Sequence, residues 1–222
     1  MKIETVDPTS HRIDMQNYSR SGFYEYFKDF DIPISMRTIN IDISNLYKFI
    51  KNENLKFSIA IVLAITHSAN NVSAFKHRIV DGRIEEFDFL FPIFTALAVD
   101  QSVLFVDGMF SGDLDSDYTA NLQRVELKSA GLLDSSRFSN QGHIILSNVP
   151  WYSFTSITLP YSKSHASIPV FMIGKRFKSH NKIYVPLAIQ TNHALVDGFH
   201  ISLFLESFER VCGNPSILRK SY

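Results

Sequence analysis

The stretch Pro186-Leu187-Ala188-Ile189-Gln190-Thr191-Asn192-His193-Ala194-Leu195-Val196-Asp197-Gly198-Phe199-His200 decides the fold. Its first part reads as an apolar strand. From Gly198 onward, Ile201, Leu205, Phe208 and Cys212 recur at helical spacing, and Gly213-Asn214-Pro215 stops that helix. The chain thus passes from a strand to an amphipathic helix through a short turn, which places His193 four positions before Asp197-Gly198. Such a junction can hold an imidazole rigidly, with a carboxylate near enough to fix the turn around it. General-base chemistry needs a group that titrates near neutrality, within hydrogen-bond reach of the proton it removes. A bare His-x-x-x-Asp-Gly is equally compatible with an ordinary strand-to-helix turn, so its neighbours must be weighed with it.

Working outward, Val170 to Phe177 and Ile183 to Thr191 read as a hairpin joined by Lys178-Ser179-His180-Asn181-Lys182. His143 to Ser147 is a strand running into the Pro150-Trp151 corner, with a further strand at Phe154 to Leu159. Strands are also expected at Ile93 to Val99 and Ser102 to Val106, and Arg78 to Glu85 is a hairpin with an Asp81-Gly82 turn. Near the N-terminus, Asn17 caps a helix running through Phe30, with Phe23, Phe27 and Phe30 on one face; Pro33 ends it. Ile39, Ile41 and Ile43 alternate with Asn40 and Asp42 as a half-buried strand. Ser44 caps a short helix carrying Leu46, Phe49 and Ile50. Ser58 opens another, Ile59 to Ala69, apolar almost all round and therefore buried. Asp115 to Ala130 is helical, with Tyr118, Leu122 and Val125 along one side, and Gly131 to Gly142 is loop. No repeat, low-complexity stretch or long linker divides the chain. Residues 1–222 are expected to form one α/β domain with a mixed β-sheet.

Lys plus Arg and Asp plus Glu are equal at 22 each, which gives no reason to expect nucleic acid or an anionic membrane as partner. The single Cys212 forms no intrachain disulfide and suits a reducing cytoplasm. Met1 to His11 lacks a signal-peptide layout, and the longest apolar run, Ile59 to Ile65, is far shorter than the ~20 residues of a spanning helix. The expected protein is soluble and cytoplasmic. Its 19 Phe and nine Tyr fit core filling, an apolar ligand pocket or an extensive subunit interface.

Other constellations fall away. Asp113-Leu114-Asp115-Ser116-Asp117 begins like a calcium loop but lacks the glycine and terminal glutamate, and reads as a loop entering a helix N-terminus. His193 and His200 share a segment without a zinc ligand set, and His67, His77, His143, His165 and His180 are scattered. No metal is expected. Neither a phosphate-binding glycine loop nor a Gly-x-Ser-x-Gly nucleophile elbow occurs.

Two further blocks accompany the first: Ser147-Asn148-Val149-Pro150-Trp151-Tyr152-Ser153-Phe154-Thr155-Ser156, and Tyr18-Ser19-Arg20-Ser21-Gly22-Phe23. Together the three resemble the chloramphenicol acetyltransferases of the trimeric, His-x-x-x-Asp-Gly type. That family carries a PLxxQxHHxxxDGxH block, an SxxPWxxF block and an N-terminal aromatic-x-Arg segment in this order. The resemblance spans about Tyr18 to Cys212. It implies the two-layer sandwich of the coenzyme A-dependent acyltransferase fold. It also implies a homotrimer with sites at subunit interfaces, and acetyl transfer from acetyl-CoA to a hydroxyl of chloramphenicol, hence antibiotic resistance.

On this resemblance His193 is the general base and Ser147 a donor to the oxyanion. Asp197 and Arg20 form an ion pair that holds the catalytic turn. Phe27, or Tyr26 on a one-residue shift, Thr95, Leu104, Ile157 and Val170 line the acceptor pocket. Trp151 packs near the coenzyme or fills the corner after Pro150. Two positions depart from the pattern: Asn192 replaces the first histidine of the usual pair, and Met172 stands where a threonine is usual. Two other functions are open, acetylation of a different alcohol and a binding protein that keeps the fold without turnover. The acyltransferase cores of 2-oxo acid dehydrogenase complexes share the His-Asp motif, but normally carry a lipoyl domain and linkers for which this chain has no room.

Overall fold

The computed structural model describes residues 6–133 and 139–219. The elements run β1 (Ser10–Arg12), α1 (Ser21–Phe27), β2 (Ile34–Asp42), α2 (Ser44–Asn52), α3 (Phe57–Asn70), α4 (Ser73–Lys76), β3 (His77–Val80), β4 (Arg83–Phe87) and β5 (Phe91–Leu97). They continue with β6 (Val103–Asp107), α5 (Leu114–Ser129), β7 (His143–Asn148), β8 (Val170–Ile173), β9 (Phe177–Ser179), β10 (Lys182–Asn192) and α6 (Gly198–Gly213). A seven-stranded sheet has the order β2-β10-β8-β7-β5-β6, with β9 paired to β10, and β1, β4 and β3 form a small separate sheet. In the large sheet β7 is parallel to β5 and β8, while the remaining pairs are antiparallel. This is the mixed α/β sheet expected from the sequence.

Register assigns the faces. Ser147 lies opposite Met172, and Met172 opposite Ala188, so these side chains share one face. Their neighbours Leu146, Phe171 and Leu187 point the other way and are fully buried. On that second face pack the helices, with α3 against β5 and β7, α5 against β6, and α6 against β2. The result is two layers. Residues Ile59 to Ala69 of α3 are all buried, as a helix without a polar face requires. Phe75, Phe171, Phe204 and Phe208 stack through the same layer, with ring centroids 5.2–6.0 Å apart. Much of the aromatic load is therefore core, but Phe23, Tyr26, Phe30, Phe105, Trp151, Tyr152 and Phe199 stay exposed.

Two buried arginines anchor the strands around Ser147. The Arg78 guanidinium donates to the carbonyls of Phe75, His77, Gln141 and His143, which ties β3 to the start of β7. Burial pulls its pKa down to about 9. Arg124 of α5 pairs with Asp107 at the end of β6 at 2.5 Å.

Several sequence expectations are corrected. Helix α1 starts at Ser21 and ends at Phe27, with Arg20 rather than Asn17 at its N-cap. The Asn17 side chain instead bonds Asp14, which holds a preceding turn. Ser44 opens α2 without capping it, because its hydroxyl is taken by Asp42. Phe154 to Leu159 form no strand. Their backbone finds no partner beside β7, whose two sheet neighbours are β5 and β8. The hairpin before β10 turns on His180 and Asn181 alone, both with positive φ, so Lys178, Ser179 and Lys182 remain in strands. The Asp81-Gly82 turn has positive φ at both residues, as expected. Part of the Gly131–Gly142 loop lies outside the described residues.

Candidate active site

Strand β10 ends at Asn192, and His193 follows with its amide donating to the Pro33 carbonyl at 2.7 Å. The His193 ring lies with Nδ1 3.2 Å from the Val196 carbonyl. A carbonyl only accepts, so a neutral imidazole here carries its proton on Nδ1 and leaves the Nε2 lone pair free. Phe27 of α1 sits with its ring centroid 4.7 Å from that of His193, and Phe23 at 6.5 Å. Of the two candidates Phe27 and Tyr26, Phe27 therefore meets His193; Tyr26 packs on Phe27 and Phe30 and is otherwise exposed.

Asp197 is the N-cap of α6. One carboxylate oxygen accepts from the backbone amides of Phe199 and His200 and contacts His200 Nδ1 at 2.8 Å. The other oxygen pairs with the buried Arg20, whose second nitrogen donates to the His193 carbonyl at 3.1 Å. Arg20 thus grips the turn at both ends, and its guanidinium stacks on Phe23 with 4.5 Å to the ring centroid. Burial acts to raise the Asp197 pKa. The His200 amide and Arg20 more than offset it and bring the carboxyl down to about 2.

This shift sets a pH dependence. The folded carboxyl titrates below its unfolded value of about 3.9, so the stabilisation is complete above roughly pH 5 and is lost as pH falls toward 2. Asp197→Asn keeps a capping oxygen but leaves the Arg20 charge unpaired. We expect it to cost about 3 kcal/mol at neutral pH. In urea titrations the gap between wild type and variant should narrow from pH 6 to pH 3. An equal gap at both pH values would contradict the assignment.

A second cluster surrounds Ser147, on the uncored face of the sheet. The Thr95 hydroxyl accepts from the Asn148 amide at 3.2 Å and donates toward Ser147 Oγ at 3.5 Å. With its oxygen so engaged, the Ser147 O–H remains available to donate. Thr95, Ser147, Pro150, Trp151 and Lys56 line a cavity of about 370 Å³. Val170 lies on the same face as Met172 and Ser147, two residues along β8. Ile157 lies in the irregular segment after Trp151, half-buried. Leu104, opposite Ala96 in the register, packs against the core and does not line this cavity.

The two clusters are far apart within the chain. Ser147 registers with Met172, Met172 with Ala188, and His193 lies five residues further along. At ~4.8 Å between strands and ~3.4 Å per residue, this is about 10 Å across and 17 Å along, or roughly 20 Å in all. Sequence reasoning missed three groups around this turn: Phe23 and the Pro33 carbonyl, which meet His193, and His200, which meets Asp197. The helical spacing of Phe23 and Phe27 was the available signal for the first. Among the described residues, no group of three or more His, Cys, Asp or Glu is placed to hold a metal ion. No helix of the described residues is long and apolar enough to cross a membrane.

Comparison with known proteins adds the family. Residues 9–209 match the family model described as chloramphenicol acetyltransferase. A Staphylococcus aureus chloramphenicol acetyltransferase is 30% identical over 210 residues, covering 93% of this chain and 97% of that protein. A solved chloramphenicol acetyltransferase superposes with a TM-score of 0.82 at 22% identity, covering 96% of this chain and all of that one. The dihydrolipoamide acetyltransferase of Azotobacter vinelandii shares the fold more distantly, with a TM-score of 0.65 at 13% identity over 85% of this chain and 84% of that one. The order of the three sequence blocks, the two-layer mixed sheet and these matches agree: the chain belongs to the chloramphenicol acetyltransferase family of acyltransferases.

Proposed function

We propose that the protein is a single-domain, cytoplasmic homotrimer that transfers the acetyl group of acetyl-CoA to a hydroxyl of chloramphenicol, and so confers resistance to it. The observation that carries the chemistry is the His193 ring, held with Nδ1 against the Val196 carbonyl, which puts the proton of a neutral imidazole on Nδ1 and leaves the Nε2 lone pair free. Nε2 takes the proton of the acceptor hydroxyl as that oxygen attacks the thioester carbon. Ser147 donates to the oxygen on which negative charge develops. The proton then passes from the imidazolium to the departing thiolate, which leaves as free coenzyme A.

Base and oxyanion donor must both stand about 3 Å from one reacting centre, and roughly 20 Å separates them here. A second copy can bring its Ser147 to this His193. The exposed apolar groups support the same reading: Phe23, Tyr26, Phe30 and Phe199 lie near the base, while Leu97, Val103, Phe105 and Trp151 lie near the serine cluster. In this arrangement Phe27 lies against the base and Thr95 and Val170 on the opposing wall, while Trp151 stands at a cavity mouth open to the coenzyme. Leu104 acts on the pocket only through packing.

Release of free thiol from acetyl-CoA on addition of chloramphenicol tests the reading. A rate unchanged by chloramphenicol and raised by another alcohol would reassign the acceptor, and no release with any alcohol would leave a binding protein. Ser147→Ala should lower turnover at saturation by ~100-fold, because one oxyanion donor is lost. An effect confined to substrate binding would contradict that role.

A further inference from the structure

We infer that Asn192 is a positioning residue for the base: its side-chain amide holds the turn that fixes the proton of His193 on Nδ1. The inference rests on the reading of His193 as the base. His193 N–H goes to Pro33, outside the turn. Ala194 N–H donates to the Asn192 side-chain oxygen at 2.9 Å. Leu195 and Val196 N–H both donate to the Asn192 carbonyl, at 3.1 and 2.9 Å. One residue thus accepts three consecutive amides, and only the Ala194 bond depends on its side chain.

The burial makes that bond consequential. Asn192 is 3% exposed, Ala194 0% and Val196 2%. Without the side-chain oxygen, the Ala194 amide has no water to turn to, and an orphaned buried donor drives the backbone to rearrange. The segment that would move carries the Val196 carbonyl, the acceptor for His193 Nδ1. Loss of that acceptor frees the ring to exchange tautomers and rotate, so the Nε2 lone pair no longer points steadily at the acceptor hydroxyl. Arg20 does not compensate. It holds the His193 carbonyl and Asp197, and neither bond supplies an acceptor for the Ala194 amide.

The test compares Asn192→Ala with Asn192→Asp, whose carboxylate oxygen can still accept the Ala194 amide. Imidazole tautomers are read by nitrogen-15 NMR on the intact protein, and kinetics at a pH where turnover no longer rises with pH. Wild type should show one tautomer, protonated on Nδ1. Asn192→Ala should show mixed tautomers and lower kcat about 10- to 100-fold, with the KM for both substrates within about threefold. Asn192→Asp should keep the single tautomer and kcat within a few-fold of wild type. A residue that merely stabilises the fold would lower Tm in the alanine variant and leave the tautomer and kcat alone, which would overturn the inference. So would loss of the single tautomer in folded Asn192→Asp, which decides the matter if the alanine variant does not fold. Inactive wild type with the tautomer pattern as expected would instead overturn the acetyltransferase reading and leave the positioning intact.

Discussion

His193→Ala is expected to lower turnover by about a thousandfold or more while the melting temperature stays close to wild type. Removing a triad-type base elsewhere leaves a residue of catalysis from binding and oxyanion donors, and the same should hold here. The fold should survive because, apart from the ring's own bond to the Val196 carbonyl, the contacts that shape the turn do not use the imidazole. They are the Pro33 carbonyl to the His193 amide, the Asn192 acceptors, and Arg20 bridging to Asp197. The loss should appear in kcat, since the ring acts on the proton in transit rather than on bound substrate. Initial rates of thiol release at saturating acetyl-CoA and chloramphenicol measure it. Turnover within tenfold of wild type would remove His193 from the role of base.

The second expectation reverses that loss. Subunits carrying His193→Ala are denatured together with subunits carrying Ser147→Ala and refolded as a mixture. On the proposed assembly, each homogeneous particle should be inactive or nearly so. In a cyclic trimer whose sites combine His193 of one copy with Ser147 of the next, every mixed particle has one site with both groups intact. Equal mixing makes about three quarters of the particles mixed, so roughly one site in four recovers. Activity should therefore rise far above either parent, toward a quarter of wild type. Sites contained within single chains can never be restored this way, so a mixture no better than the average of its parents would refute the shared site. Light scattering on the same samples should show three chains per particle.

The extent to which the site was legible depended on how local each interaction is. The passage from β10 through His193 into α6 was readable because strand and helix periods differ, and Asp197 caps a helix two and three residues away. Thr95 and Ser147 were recognised by resemblance alone. What joins them is strand register between β5 and β7, which leaves no trace in either segment. Asn17 shows the limit of local rules: a good cap by type, it is held by Asp14 in a turn that brings Arg20 to Asp197 across most of the chain. His200 was weighed only as a partner of His193 in a zinc ligand set, which the segment lacks. Its role appears only when the helix it starts folds its ring back onto Asp197.

By itself, then, the sequence determined the alternation of strand and helix on either side of His193, the buried α3, the hairpin at Asp81-Gly82 and the placing of a histidine ahead of a capped helix, but not β1, α4 or the absence of a strand at Phe154 to Leu159. What it determined follows from side-chain periodicity, turn chemistry and capping, which act over a few residues. Only the tertiary structure decided that Phe27 rather than Tyr26 faces His193, that Leu104 turns to the core, and that His193 and Ser147 stand roughly 20 Å apart. Those outcomes depend on strand order and register. Both are set by how the helical layer and the sheet bury their apolar faces together, a property of the whole chain rather than of any segment.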